Sequence, residues 1–504
     1  MNKSTVIDFL NVTRAEIDKE ALWGFAIDHP KKGNQAKTYT IEISGWVLGK
    51  KSKVVAVEVL SEGRVLGQVP VNIERLGVSK LYPEVSWAKR CGFNIEVGVI
   101  GLPLQGEVRI RAVLENRSTV LLGIIHYHRQ PLHSNYQAKL QPLVFTSSGR
   151  SGTTWLMRIF SEHPSIIASE FYPYEFRVSQ YWIQMLNILS QPRNPDKFQG
   201  TYFYQEFQSI GPNPYHGKLN GHAAHDWLGR DYPEQFADFC RHSIDNLYEY
   251  MGRNQGKIVS ELSHNTDSQH QQFYFVEKFL PNPHRKLLLE VYPQAKEIVL
   301  VRDFRDICCS ALAFNTKRGY MSFGRQRVDN DIDYIKTTIK NTAANLLEIW
   351  RERKEEAHLV RYEDLILAPE QTLSDIFVYL NLDNSSSTIS KILEKASKDT
   401  PKLKRHRTTD SPEESIGRWQ KDLEPSLQAL STEVCKEALQ EFGYSLTGEE
   451  KLSPLPKITK PEVKSEPSLK PTNSNLVKST ESARNKLEQM KSKIQNIKES
   501  LEKS

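Results

Sequence analysis

A loop rich in glycine and hydroxyl side chains is the feature that most constrains this chain. It reads Ser-Ser-Gly-Arg-Ser-Gly-Thr-Thr-Trp over residues 147–155, between the short apolar strand 142–146 and the helix-like run 155–160. Its two glycines permit tight turns with inward-facing amides, and Arg150 and the helix N-terminus add positive charge. The loop therefore predicts a phosphate-binding cradle at the end of a strand in an α/β fold.

The residues of the loop disfavour a magnesium-dependent nucleotide triphosphatase. That class needs Gly-Lys-Ser/Thr, but Thr153 follows Gly152 and the loop contains no lysine. A second apolar strand, 297–301, runs into Arg302 rather than into a metal-binding aspartate. Ser310 comes about two turns into the next helix, so Arg302 and Ser310 can hold one further phosphate.

These two loops resemble the phosphate motifs of sulfotransferases that use PAPS, 3′-phosphoadenosine-5′-phosphosulfate. Residues 150–154 match the 5′-phosphosulfate loop, and an arginine followed eight positions later by a serine matches the 3′-phosphate motif. Segments 360–365 and 415–420 resemble a later strand and the C-terminal element of the family. The resemblance covers about residues 140–444. It implies a parallel-sheet, P-loop-like domain that moves a sulfuryl group from PAPS to an acceptor hydroxyl without a metal ion, and releases PAP.

The resemblance also implies roles for individual residues. Arg150 is expected to act in catalysis as well as binding, because it would neutralise charge on the oxygens around the transferred group. Trp155 matches a position that packs on adenine in some members, although a core role is equally open. The implied cofactor-binding residues are Arg150, Ser151, Gly152, Thr153, Thr154, Trp155, Arg302, Ser310, Gly417, Arg418 and Trp419.

The catalytic base is expected to be Glu170. Relatives with carbohydrate or protein-tyrosine acceptors carry a glutamate about twenty residues past the loop, and Glu170 lies twenty past Arg150. Glu175 is the second carboxylate candidate. Small-molecule relatives use a histidine instead, and the histidine candidates are His222, His225 and His264.

The chain departs from the family pattern at one segment. Many relatives have Glu-Lys-Ser/Thr-Pro between the two phosphate motifs, and its lysine approaches the sulfuryl group. The nearest match is Glu261-Leu-Ser-His264, where Leu262 takes the place of the lysine. This departure keeps open a non-catalytic protein that binds PAP or PAPS as a scaffold.

The region before the loop domain is predicted to be all-β. Short alternating strands at 39–43, 54–60, 65–66, 108–114 and 120–125 are separated by turn signals, with Gly45 and Trp46 expected to interrupt the first. Such strands favour a small β-sandwich. The predicted organisation is an N-terminal segment 1–20, a sandwich 21–130, a sulfotransferase domain 138–448, a disordered linker 449–480 and an amphipathic or coiled-coil helix 481–504.

Composition narrows the setting and the partners. The five cysteines form no disulfide framework or metal-ligand spacing, and no apolar run is long enough to span a membrane, so we expect a cytoplasmic protein. No nucleic-acid motif is present. Residues 483–501 have an a/d-like spacing that fits either a solitary helix or self-association.

The acceptor cannot be read from these residues, but a glycan hydroxyl is the first choice. A glutamate base and an appended domain suit a bulky substrate, and sandwich aromatics such as Trp46, Tyr82 and Trp87 either bind it or belong to the core. A P-loop kinase is the remaining enzymatic rival.

Overall fold

The computed structural model describes residues 5–190, 201–203, 208–210, 229, 231–258, 272–281, 283–398 and 400–448. The predicted linker 449–480 and helix 481–504 lie outside the described residues, as do His222, His225, Leu262 and His264. Within the described part, no helix has the length and apolar character needed to cross a membrane.

Two antiparallel sheets form the N-terminal part. The six-stranded sheet has the order β3-β1-β9-β8-β5-β6, and the three-stranded sheet has the order β2-β4-β7. Their strands are β1 Ile7–Arg14, β2 Leu22–His29, β3 Gln35–Ala36, β4 Thr40–Gly49, β5 Val54–Ser61, β6 Arg64–Pro70, β7 Gly92–Gly98, β8 Gln105–Leu114 and β9 Thr119–Arg129. Inward residues alternate with exposed ones, as Ile41, Glu42 and Ile43 show, which is why alternation in the sequence located β4, β5, β6, β8 and β9 but not the other four strands.

The sheets differ from the expectation at two places. The six-stranded sheet includes residues from Ile7 onward, inside the predicted N-terminal segment 1–20, because strand β1 pairs with both β3 and β9. Strand β4 also continues through Gly45 and Trp46 instead of ending there. A Cβ at Gly45 would lie 2.1 Å from the carbonyl oxygen of Ala26, so glycine allows the neighbouring strand to approach closely.

A parallel sheet follows, and the predicted α/β class is confirmed. Its order is β11-β14-β10-β15-β16, and all of its strand pairs are parallel. The strands are β10 Gln141–Ser147, β11 Ile166–Ile167, β14 Tyr274–Phe279, β15 Lys296–Val301 and β16 His358–Arg361. A separate antiparallel pair joins β12 Thr201–Phe203 and β13 Gln208–Ile210. Because strand order reverses about β10, the carboxyl ends of β10 and β15 border a crevice of the kind that binds ligands.

Helices connect and cover the parallel sheet. The longer ones are Thr153–Glu162, Val178–Ser190, Tyr232–Asn254, Pro283–Val291, Phe304–Arg318, Lys340–Arg353, Pro369–Leu380, Ser386–Ala396 and Pro425–Glu441. Shorter ones are Leu76–Leu81, Asp331–Tyr334, Tyr362–Leu367, Pro401–His406 and Trp419–Asp422, and a π-helical stretch, Ile335–Ile339, joins two of them. Residues 331–353 thus form a continuous helical stretch with a π-helical interior.

The N-terminal sheets share one apolar core with the parallel-sheet domain. Buried side chains of the antiparallel sheets, such as Ile110 and Ile125, belong to the same cluster as Val144 and Phe275 of the parallel sheet. The segment between them is held by hydrogen bonds to helices: the backbone amide of Leu132 donates to Glu290 at 2.6 Å, and that of Lys139 donates to Asp245 at 2.7 Å. This segment is a packed connection and not a free linker.

Candidate functional site

The loop after β10 is held in a tight conformation by its own residues. Arg150 and Gly152 both have left-handed backbone angles, with φ of 67° and 84°, and Gly152 is the N-cap of helix Thr153–Glu162. The hydroxyls of Ser148 and Ser151 lie 2.7 Å apart. A Cβ at Gly152 would come within 2.3 Å of the Tyr362 ring, so only glycine fits there.

The loop after β15 meets it directly. Arg302 is buried, and its Nη1 donates to the carbonyl oxygen of Arg150 at 3.1 Å. Its guanidinium lies over the Tyr362 ring, 4.6 Å from the centroid. The Arg150 Nε donates to the Ser310 Oγ at 3.1 Å, one and a half turns into helix Phe304–Arg318. Arg150 therefore contacts both members of the second predicted motif.

Two buried polar atoms beside this junction lack partners. The Arg302 Nε and the indole Nε1 of Trp155 have no hydrogen-bond partner among the described residues. An unpaired buried donor is costly, and donors are the groups that an anion would satisfy. Burial, followed by the nearby Arg302 charge, lowers the pKa of Arg150 to about 10, so its guanidinium remains charged at neutral pH. The residues present thus fit a phosphate-bearing ligand.

The C-terminal element is fixed against the second loop. The Asp306 carboxylate accepts from the backbone amides of Gly417 at 2.7 Å and Trp419 at 3.0 Å. The Trp419 ring is buried under the Arg305 guanidinium, 3.8 Å from its centroid. Arg418 bonds to Asp422 and Thr408. Gly417 and Trp419 thus anchor this segment here, and nucleotide contacts by them and by Arg418 stay a prediction.

The two carboxylates proposed as base differ sharply in setting. Glu170 is exposed, and no hydrogen bond joins it to Arg150 in the described part of the chain. Glu175 is buried between Arg177 and Lys278, at 2.6 and 2.9 Å. Burial alone would raise the pKa of Glu175, but these two cations lower it below its ordinary value. The role of Glu170 stays a prediction.

Two further side chains near Arg150 were not found from the sequence. His406 lies 2.9 Å from the Arg150 guanidinium, and Lys278 is the second-last residue of strand β14, opposite Phe145 of β10. Glu277-Lys278 at the end of the apolar run Tyr274-Phe-Val was the available signal for the family's Glu-Lys pair. The sequence pattern had matched this pair to Glu261–His264, with Leu262 in place of the lysine, and a role of Lys278 as the family's lysine is a prediction.

The aromatic side chains of the N-terminal sheets are committed to packing. Trp46, Tyr82 and Trp87 pack on a small buried cluster around Leu48, and the Trp87 indole donates to the Gly49 carbonyl at 3.1 Å. They therefore belong to the core, the second of the two roles considered for them.

Comparison with known proteins agrees with this geometry. The model of a sulfotransferase family matches residues 142–386. No curated protein matches the chain. Among solved structures, the sulfotransferase domain of the curacin biosynthetic pathway is 16% identical, with a TM-score of 0.35, and the alignment covers 61% of this chain and 99% of that one.

Two other solved structures are similar at the same level. The sulfotransferase domain of the Synechococcus PCC 7002 olefin synthase is 18% identical, with a TM-score of 0.32, covering 61% of this chain and 97% of that one. A mouse sulfotransferase complexed with PAP is 12% identical, with a TM-score of 0.32, covering 61% and 87%. By the family match over both anion loops, this chain carries, at residues 142–386, a domain of the sulfotransferase family.

Proposed function

We propose that this protein is a PAPS-dependent sulfotransferase that acts on an acceptor hydroxyl. The observation that carries the proposal is the contact between the two anion loops, in which Arg302 donates to the Arg150 carbonyl and Arg150 donates to Ser310. A nucleotide with phosphates on both sides of its ribose needs two such loops at one crevice. Two guanidiniums this close and this buried repel each other, and an anion between them removes that cost.

The residues of the cradle divide by the part of the ligand that they would hold. Arg302 and Ser310 would hold the 3′-phosphate, since Arg302 has an unused Nε and Ser310 a hydroxyl. The amides and hydroxyls from Ser151 to Thr154 would hold the 5′ side at the helix N-terminus. The indole Nε1 of Trp155, which has no hydrogen-bond partner among the described residues, supports a contact between Trp155 and the same part of the ligand.

Catalysis would depend on cationic side chains that are already in position before the reaction begins. PAPS supplies the activated sulfuryl group, and no metal ion is part of the proposal. Arg150 would stabilise the negative charge that develops on the leaving side. Lys278, at the end of the strand next to β10, would neutralise charge on the acceptor side, where it already pairs with Glu175.

For the acceptor, we propose a hydroxyl on a bulky substrate, with a glycan as the first choice. The N-terminal sheets support this choice because they share a core with the catalytic domain and so extend one rigid surface beside it. Trp46, Tyr82 and Trp87 pack on the cluster around Leu48, so the proposal does not depend on them as a sugar platform.

The proposal is tested by binding and transfer together. Calorimetry should show that PAP binds, whereas AMP, the matched nucleotide that lacks only the 3′-phosphate, does not. ³⁵S-labelled PAPS should then be incubated with the protein and with lysate glycans, lipids and proteins. Label on an acceptor supports the enzyme, and PAP binding without any transfer supports the scaffold. Stabilisation by ATP–Mg²⁺ but not by PAP would instead support the kinase.

A further inference from the structure

The imidazole of His406 lies between Arg150 of the anion cradle and Tyr172. His406 ends helix Pro401–His406, whose first turn is capped by the Thr400 hydroxyl. Its Nε2 is 2.9 Å from the Arg150 Nη1, and its Nδ1 is 3.0 Å from the Tyr172 hydroxyl. The ring edge packs on Phe314, with centroids 5.3 Å apart. Both ring nitrogens are therefore fixed in direction.

The partners of the ring determine its tautomer. A guanidinium can only donate hydrogen bonds, so the Nε2 that faces Arg150 must carry the lone pair. The proton of a neutral ring is then on Nδ1, where it is donated to the Tyr172 oxygen. The ring thus directs an unprotonated nitrogen at the residue that would contact the transferred group.

Resting on the proposed function, we propose that His406 is the catalytic base. When Arg150 turns from His406 to an anionic ligand, the Nε2 lone pair becomes free to accept a hydrogen bond from the acceptor hydroxyl. In the transfer step His406 takes the hydroxyl proton on Nε2. The acceptor oxygen forms a bond to sulfur, and the sulfur–oxygen bond to the 5′-phosphate breaks, its electron pair leaving with PAP.

The surroundings of the ring favour this role over the two carboxylates. Glu170 is exposed and makes no hydrogen bond to Arg150 among the described residues. Both carboxylate oxygens of Glu175 are already engaged, one by Arg177 and the other by Lys278. Tyr172 accepts from Nδ1, so it would stabilise the imidazolium that forms after proton transfer. Tyr172 is therefore a positioning residue for the base.

The charges around His406 link its basicity to ligand binding. Burial, then the cations Arg150, Arg318 and Lys278, lower the pKa of His406 to about 3, and the charge of Glu175 opposes them. The free protein therefore keeps the ring neutral at neutral pH. An anion on Arg150 cancels part of the positive potential, so PAP should raise the pKa of His406 and make it a better base.

The first test uses a pair of acceptors of similar shape, 4-nitrobenzyl alcohol and 4-nitrophenol at pH 8. The alcohol needs a base for its proton, whereas the phenol is already largely ionised. For His406→Gln we expect transfer from PAPS to the alcohol to fall by about 10²-fold. Transfer to the phenol and the Kd of PAP should change less than about threefold. The proposal is overturned if His406→Gln slows transfer to both acceptors equally, or if it slows transfer to neither.

The matched control is His163→Gln, another buried histidine of the same domain, which packs on Phe377 with centroids 4.6 Å apart. It should leave the ratio of the two transfer rates unchanged. Thermal unfolding of both variants with and without PAP separates a fold defect from a chemical one. If the wild-type protein fails to bind PAP at all, the proposed function fails, and the base with it.

A second test needs no turnover. In protein labelled with ¹⁵N-histidine, with the His406 signals assigned through His406→Gln, Nε2 should show the shift of an unprotonated nitrogen at pH 7. Addition of PAP should move the Nε2 signal and raise the pKa of the ring. A protonated Nε2 in the free protein, or an Nε2 signal indifferent to PAP, would rule His406 out. Tyr172→Phe removes the acceptor of the Nδ1 proton, so it should shift the Nδ1 signal and lower the pKa of the ring while leaving the Kd of PAP unchanged.

Discussion

Arg150 joins the separate parts of the site through both its backbone and its side chain. Its carbonyl accepts from Arg302, its Nε donates to Ser310, and its Nη1 contacts His406. The sequence predicted the first two neighbours, because each belongs to a local motif of nine residues or fewer. It did not predict His406, which is 256 positions from Arg150 and belongs to no motif.

Removal of Arg302 should weaken nucleotide binding. Arg302→Ala deletes a buried, charged donor from a phosphate and should cost about 2 kcal/mol or more of PAP binding free energy, measured by calorimetry. Arg351→Ala is the control, because Arg351 is exposed and pairs with glutamates on the outer helix Pro425–Glu441. Equal affinity in Arg302→Ala and wild type would remove Arg302 from the site.

The carboxyl group of Glu363 beside the second loop should make stability depend on pH. Burial raises the pKa of Glu363 from 4.5 to about 7, although the Arg302 charge and hydrogen bonds from the Asp303 amide and the Tyr444 hydroxyl oppose the rise. A raised pKa contributes stability that is complete below 4.5 and is lost as the pH rises through 7.

Relative to Glu363→Gln, the wild-type protein should therefore lose up to ~3 kcal/mol of unfolding free energy between pH 4.5 and 8. Urea denaturation at several pH values measures this difference. Glu437→Gln, at an exposed position, should show no such trend. If the difference in unfolding free energy between wild type and Glu363→Gln does not vary with pH, the pKa of Glu363 is not raised by folding.

At the scale of elements, strands were predictable where their residues are uniformly apolar. The strands β10, β15 and β16 were located from such runs, because both faces of a parallel sheet are buried. Strand β14 was missed because Glu277 and Lys278 interrupt its apolar run. The buried Glu277 is tolerated since Tyr248, Ser179 and Gln180 donate to it, and these partners come from two other helices.

The loop before helix Thr153–Glu162 should tolerate no side chain at its glycine cap. Gly152→Ala adds a Cβ against the Tyr362 ring at a left-handed backbone position, and should cost about 2 kcal/mol or more of stability together with a loss of PAP binding. Urea denaturation and calorimetry measure the two effects.

Gly77→Ala provides the comparison, since a Cβ there meets no atom within 4 Å and its helical position has an ordinary backbone angle. It should be neutral or slightly stabilising. If both alanine variants behave alike, the close approach of Tyr362 to the loop is wrong.

At the scale of the whole molecule, the N-terminal sheets and the catalytic domain are built as one body. Composition and strand patterns predicted both parts, but not that they share a core, because the residues joining them are ordinary apolar side chains far apart in sequence. A buried ion pair lies at this junction: Arg129 Nη1 and Nη2 contact the two carboxylate oxygens of Glu290 at 2.6 and 2.7 Å.

Breaking this pair should destabilise both parts together. Arg129→Met leaves the buried Glu290 carboxylate without its cation and should lower the unfolding free energy by about 3 kcal/mol or more. Lys51→Met breaks an exposed pair with Glu20 and should cost well under 1 kcal/mol. Calorimetric unfolding should show a single transition in every case, and two separate transitions would contradict a common core.

The anchored connection between residues 130 and 141 has a consequence for how a large substrate would be handled. A flexibly tethered accessory domain would let its bound substrate reach many positions. The N-terminal sheets are instead held at a constant distance and angle to the proposed site of sulfuryl transfer. A polymer bound on the N-terminal sheets would therefore present only those hydroxyls that lie at one fixed distance from its bound segment. Lengthening the connection by a few glycines should then broaden the pattern of modified positions rather than abolish modification.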